Sequence, residues 1–241
     1  MKRLVVILSA IILTLSSCHG WFGHRIHGNG NVTTENRSVN GFEGIDVSGA
    51  IDVYITQDSA ELVKVETDAN LQEYIIARVE NSVLAIYPAN NTNLDPTRSI
   101  KVYVSGRKFT NFHASGASDI YSSNKIQSPD EMDFEASGAS KIELDIKTPK
   151  ISGEITGASS LKLSGETKDL VISASGASHA KCFELMSENA DVDLSGASNA
   201  DVFASVSVKG EASGASNVTY KGNATSVVVN TSGAGSVKKG N

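Results

Sequence analysis

Four acidic residues occupy the same place in a repeated segment. Glu135, Glu154, Asp193 and Glu211 each stand three residues before a glycine. Carboxylates brought into register by a repeat repel one another unless a cation or a basic side chain intervenes, and calcium is the cation that clustered carboxylate oxygens bind. These four are therefore candidate cation-binding residues, with Asp133 and Asp191 on the same face. The competing reading is a solvated acidic face balanced by Lys141, Lys162 and Lys181. Paired carboxylates also cleave glycosidic bonds, which makes a polysaccharide lyase or hydrolase the alternative. Against it, no repeat carries an outlying cluster of Arg, His and Asp. The single Trp, Trp21, lies far upstream, so no aromatic platform for sugar rings is expected. No catalytic residue, metal or cofactor is assigned.

Other reactive residue types are read in the same way. Ser-Gly pairs recur many times, whereas a nucleophilic serine occurs once per site, so these serines are structural. The chain has two cysteines, Cys18 and Cys182. Cys182 falls on an inward phase of its strand and His179 on the outward phase, so the two make a poor dyad and Cys182 reads as core. His19, His24 and His27 are a possible transition-metal set but lack an acidic or Cys partner among them. Asp58-Ser59-Ala60 resembles a short bacterial O-glycosylation signal, which makes Ser59 a candidate modification site.

The segment that carries the carboxylates is Ser-Gly-Ala-Ser or a near copy, centred on Gly49, Gly116, Gly138, Gly157, Gly176, Gly196, Gly214 and Gly233. From Gly116 onward the glycines recur every 18 to 22 residues. A period of about 19 is the length of one coil of a β-solenoid, in which each repeat buries its apolar face only against its neighbours. Residues two and four before the glycine (Ala114 and Phe112, Ile155 and Gly153, Leu194 and Val192) are apolar or small, and those between are polar. That alternation marks a half-buried strand. A second inward column follows the tetrapeptide: Ile120, Ile142, Leu161, Ala180, Ala200 and Val218. The tetrapeptide is a corner, with Gly allowing the bend, Ala filling a narrow interior and Ser hydroxyls bonding locally. Lys238 and Lys239 guard the edge of the last coil. The expected fold is all-β, a single-stranded parallel β-helix with coils of about 19 residues and a less regular, strand-rich N-terminal part.

That N-terminal part reads as strands at Val47 to Ile55, Leu62 to Glu66, Tyr74 to Val79, Val83 to Tyr87 and Ile100 to Val104, with a helical turn at Asp68 to Leu71. The long gap from Gly49 to Gly116 fits either degenerate coils or an antiparallel cap over residues 50–111.

Upstream, Met1-Lys2-Arg3 and the apolar run Leu4 to Leu15 form a signal peptide over residues 1–17. It ends in Leu15-Ser16-Ser17-Cys18, which resembles a bacterial lipobox and makes Cys18 the expected lipidated residue. Residues 18–37 read as a flexible tether, 38–111 as the strand-rich part and 112–241 as regular repeats. The net charge of −6 argues against nucleic acid as a partner. The membrane is met through the lipid anchor, at the outer membrane of the cell envelope.

Phe42-Glu43-Gly44-Ile45-Asp46-Val47-Ser48-Gly49 followed by Asp52-Val53-Tyr54-Ile55 resembles the opening of a bacterial family, the auto-transporter adhesin head GIN domain. Asn70-Leu71, Leu84-Ala85-Ile86 and Ser115-Gly116-Ala117-Ser118-Asp119-Ile120 resemble it too, over roughly residues 38–222. The resemblance implies a right-handed parallel β-helix on exported proteins, many with lipoprotein signals, and no cofactor or catalytic set. The expected function is a lipid-anchored, adhesin-like β-helix without catalysis, whose repeated polar surface binds a glycan, an envelope polymer or a protein through many weak contacts. A carbohydrate-active enzyme and a purely structural envelope protein are the alternatives.

Overall fold

Strands with one apolar face must bury it, and one coil of this chain is too short to do so alone, so the coils stack. The computed structural model describes residues 24–240. Before the regular repeats come β1 (His24–His27), β2 (Val32–Arg37), β3 (Gly44–Val47), β4 (Ile51–Gln57) and β5 (Leu62–Asp68). A 3-10 turn at Ala69–Tyr74 leads to β6 (Ile75–Glu80), β7 (Val83–Pro88), β8 (Thr92–Asp95) and β9 (Ile100–Gly106). The repeats comprise β10 (Asn111–Ala114), β11 (Asp119–Ser122), β12 (Ile126–Gln127), β13 (Met132–Ala136), β14 (Lys141–Ile155) and β15 (Ser160–Ala174). They continue through β16 (His179–Met186), β17 (Asn189–Leu194), β18 (Asn199–Phe203), β19 (Ser207–Ala212), β20 (Asn217–Lys221), β21 (Ser226–Thr231) and β22 (Ser236–Lys239).

Two parallel ladders run the length of the stack. The first, formed by strands that precede the corner, runs β7, β3, β10, β13, the second halves of β14 and β15, β17, β19 and β21. The second, formed by strands that follow it, runs β9, β4, β11, the first halves of β14 and β15, β16, β18, β20 and β22. The fold is thus a β-solenoid of stacked parallel coils, as the repeat predicts. Its core is a continuous column of aliphatic residues with one aromatic segment, where Phe112 and Phe134 stack at 5.0 Å. Cys182 is fully buried in this column, on the phase its alternation predicts.

The tetrapeptide turns the corner in an unexpected way. All eight glycines have positive φ, from 67° to 88°. They stack on one another so closely that a Cβ on Gly157 would lie 2.5 Å from the carbonyl oxygen of Gly138. The following Ala, expected inside, is exposed, and the last Ser is the buried member. The left-handed glycine shifts the alternation, so the inward position falls on the serine. The hydroxyls of Ser140, Ser178, Ser198 and Ser216 donate to the carbonyl three residues back, as in Ser198 Oγ to Ser195 O at 2.7 Å and Ser216 Oγ to Ser213 O at 2.8 Å, while Ser118 and Ser159 accept from backbone N–H groups of a neighbouring coil. Ser178, Ser198 and Ser216 also reach carbonyls of the coil before.

The order of coils along the stack differs from their order along the chain. The β3–β4 coil lies between the β7–β9 coil and the β10–β11 coil. Gly116 therefore packs on Gly49 although 67 residues separate them, and Pro88 takes the next place on the column. The gap holds one coil, not three. The rest of it is an antiparallel cap, in which β6 covers the edge of β7 and β5 covers β9, with β2 outside β5. The expected single strand from Val47 to Ile55 is cut in two, because Gly49 and Ala50 both have positive φ.

The expected tether is corrected over its larger part. Residues 24–37 carry two strands, β1 paired with β8 and β2 paired with β5. Backbone pairing and a buried carboxylate hold them, which a composition rich in Gly and Asn conceals. Residues 18–23, with Cys18 and His19, lie outside the described residues, as does the signal peptide.

Candidate functional site

The outward positions of the first ladder form one acidic column. Asp46, His113, Glu135, Glu154, Ser173, Asp193 and Glu211 are consecutive partners in register. Glu135 thus neighbours Glu154, and Asp193 neighbours Glu211, as the repeat predicts. The four do not form one cation site. Ser173 separates the pairs, and among the described residues no three His, Cys, Asp or Glu side chains converge as metal ligands. Calcium takes six to eight oxygens, more than two carboxylates supply. The expected lysine balance is also corrected. Lys141 and Lys162 project from the other ladder, where both pair with Glu143, and Lys181 is outward there too.

On the acidic face the balancing cations are different. Lys209 reaches Asp191 at 3.3 Å and Glu211 at 3.2 Å. His113 sits between carboxylates, with Nδ1 3.2 Å from Asp46 and Nε2 3.6 Å from Glu135. The Asp46 contact holds the His113 imidazolium above its ordinary range, against the effect of burial, and Glu135 adds to it. A raised folded-state pKa stabilises the fold fully below the unfolded value and loses that contribution as pH rises through the folded value. H113Q is accordingly expected to melt lower than the parent near pH 5.5 and close to it near pH 8.5, a difference read by thermal melts at the two pH values. Two open grooves follow the face. One of about 210 Å³ is lined by His113, Asp133, Glu135 and Glu154, and one of about 260 Å³ by Glu154, Ser173 and Asp193.

The second ladder carries an aromatic column that sequence reasoning missed. Tyr103, Tyr54 and Tyr121 stack outward at 5.5 and 5.4 Å between ring centres, and Lys141 Nζ caps Tyr121 at 5.1 Å. The signal was present as Asp52-Val53-Tyr54, Lys101-Val102-Tyr103 and Asp119-Ile120-Tyr121. The long gap before Gly116 hid the fact that these segments are neighbours. The ring faces are taken up by one another, so the column presents hydroxyls and edges. Tyr121 donates to Asp119 Oδ2 at 2.8 Å, and burial with that contact pushes its phenol well above the ordinary range, so it remains a donor.

A second missed feature lies further along. The register between β15 and β16 slips by one residue between Lys162 and Ser164. Phe183, next to the inward Cys182, faces outward at this bulge beside Lys162, Lys181 and Asp201, with Lys221 Nζ over its ring at 4.7 Å. The longer step from Gly176 to Gly196 was its trace in the sequence.

The remaining candidates are dispersed. Ser59 is exposed on the loop between β4 and β5, its hydroxyl 3.2 Å from Asp58. His24 and His27 lie on β1, where His27 Nδ1 contacts Asp95 at 2.6 Å. His179 pairs with Asp201 at 3.0 Å and points away from Cys182. Burial pushes the Cys182 thiol up to about 12, which suppresses its thiolate. Native protein treated with iodoacetamide near pH 8 is therefore expected to leave Cys182 unlabelled, and guanidinium-unfolded protein to label it fully, as read by peptide mass.

The family described as "Putative auto-transporter adhesin, head GIN domain" matches residues 41–224. No curated protein matches the chain. A crystal structure of "a putative adhesin" from Bacteroides fragilis is similar with a TM-score of 0.84 at 18% identity, covering 89% of this chain and 99% of that one. A "putative adhesin" from Parabacteroides merdae is similar with a TM-score of 0.74 at 18% identity, covering 90% of this chain and 100% of that one. A "putative lipid binding protein" from Parabacteroides distasonis is similar with a TM-score of 0.73 at 19% identity, with coverage of 90% and 100%. At these identities the likeness is one of fold.

Proposed function

The chain belongs to the head GIN domain family of auto-transporter adhesins, and from that premise we propose that it is an adhesin-like binding protein of the cell envelope, held at the outer membrane by lipid on Cys18 and acting without catalysis. The observation that carries this reading is the outward ladder. Carboxylates stand at five of the seven rungs from Asp46 to Glu211 on the first face, beside open grooves, so binding is spread along a surface. Many weak, repeated contacts with a polymer give avidity without a deep site. The polymer is a glycan, an envelope polymer or a protein segment with its own repeat. The carboxylate pairs favour a partner that brings donors or cations of its own.

The chain presented to an array of glycans and envelope polymers, with calcium and with chelator, tests this. The expected result is binding without release of cleaved product, weakened several-fold when Glu135 and Glu154 are changed to Gln. Release of shortened product would instead support a carbohydrate-active enzyme. Absence of binding in both conditions would support a structural role.

A further inference from the structure

The two ends of the solenoid are built differently. At one end, β5 and β6 run antiparallel across the last coil and close it, with β2 outside β5. At the other end, β21 pairs with β19 on one side, and among the described residues nothing pairs with its outer edge. Three consecutive valines stand exposed there, Val227 at 40%, Val228 at 58% and Val229 at 48%. Val227 continues the inward column of Val208, so core surface meets solvent at this end. An unpaired, uncharged, valine-rich edge is a template for another strand. Lys238 and Lys239, expected to guard the edge, lie on β22 alone; β21 carries no charge.

We propose that this open end docks a second copy of the chain, tail to tail, through antiparallel pairing of the two β21 strands. The hydrogen-bond phase of β21 supports that occupant. Ser226 and Ser232 donate their N–H groups back to Val206 and Ala212, so the residues that alternate with them, Val227 and Val229, turn their backbone groups to the free edge. An antiparallel copy centred on Val228 sets Val227 of one chain opposite Val229 of the other. Both residues then have outward-facing backbone groups and inward side chains, so the pair exchanges two hydrogen bonds and the core runs through the junction. Val228 faces its own copy across the two-fold axis, on the outer face. The contact is isologous and closes at two, because the edge strands of the capped end, β2 and β6, carry Glu35, Arg37, Arg78 and Glu80, charges that disfavour an added strand.

The interface is only two strands wide, below the roughly 800 Å² per partner of a standard one, so dissociation constants on the order of 10–100 μM are expected. Pairing does not depend on the anchoring reading. Combined with it, the dimer would hold two anchored ends at opposite poles of one rod.

Sedimentation of the full chain, from about 5 μM to about 0.5 mM, tests the proposal. A monomer–dimer equilibrium is expected, weakened at least ~10-fold by V228K, whose side chain is exposed in the monomer and leaves the circular-dichroism melt unchanged. V228C is expected to form a disulfide-linked dimer under mild oxidation that the parent chain does not form, because a directly opposed non-hydrogen-bonded pair brings the two Cβ atoms close. A monomer at every concentration, growth beyond the dimer, or a dimer indifferent to V228K overturns it.

Discussion

Replacing Gly157 by alanine is expected to destabilise the solenoid by about 2–5 kcal/mol, although the residue is exposed and the change adds one methyl. Two costs combine. The backbone sits at φ 73°, where an L-residue is strained by about 1–2 kcal/mol. The new Cβ would also lie 2.5 Å from Gly138 O and 3.1 Å from Gly138 N. Those atoms cannot give way, since Gly138 O already accepts the Ala158 N–H at 2.8 Å in the corner ladder. Overpacking against fixed backbone adds about 1–3 kcal/mol. Gly41 is the control, with φ 75° but nothing within 4 Å of its Cβ position. G41A should cost only about 1 kcal/mol. Urea melts of both variants decide the matter, and equal losses would show that stacking of the glycines contributes nothing.

The second large effect is at Asp68, at the end of β5. Its side chain is closed off from solvent although it lies at the periphery of the fold. The carboxylate accepts from Gly30 N at 2.7 Å, Thr97 N at 2.8 Å and Thr97 Oγ1 at 2.8 Å. Burial alone would raise its pKa; the Thr97 and Gly30 donors overcome that and hold it below the ordinary carboxylate value. D68A orphans three donors and should cost about 2–4 kcal/mol. The loss should be regional. Hydrogen exchange in β1, β2 and β8 should accelerate while the coils from β13 onward keep their protection. The sign with pH follows from the lowered folded-state pKa. The stabilisation is present above the unfolded value near 4 and is lost as pH falls through the folded value, so the cap should loosen in acid before the coils. D68A should abolish that acid step.

The repeat made the coils, the inward columns and the carboxylate register legible, because each follows from period two within a strand and a fixed step between glycines. Three things were hidden for physical reasons. A left-handed glycine shifts the alternation at the corner, so the Ala expected to fill the interior is exposed and Ser140 and its equivalents take the inward place. The bulge at Phe183 changes the count by one residue, which a period tolerates without announcing it. The tyrosine column depends on which coils touch. Contact between Tyr54 and both Tyr103 and Tyr121 follows from a coil order that no local pattern encodes. The buried Asp68 that orders residues 24–37 is likewise a long-range partner, invisible in a segment whose composition suggests a linker.

The placement of the β3–β4 coil between coils that come later in the chain sets the order of assembly. Every junction beyond β10 joins segments about one coil apart, so loop closure there is cheap and the stack can grow like a zipper. The first junction is different. Asn111 to Ala114 must find Gly44 to Val47 across the whole capping excursion, and until it does, the edge of the β3–β4 coil opposite β7 and β9 lacks its parallel partner. That single long-range closure is the slow, aggregation-exposed step, and folding should report it as a phase whose rate responds to changes at the Gly49–Gly116 contact and is indifferent to those at Gly214.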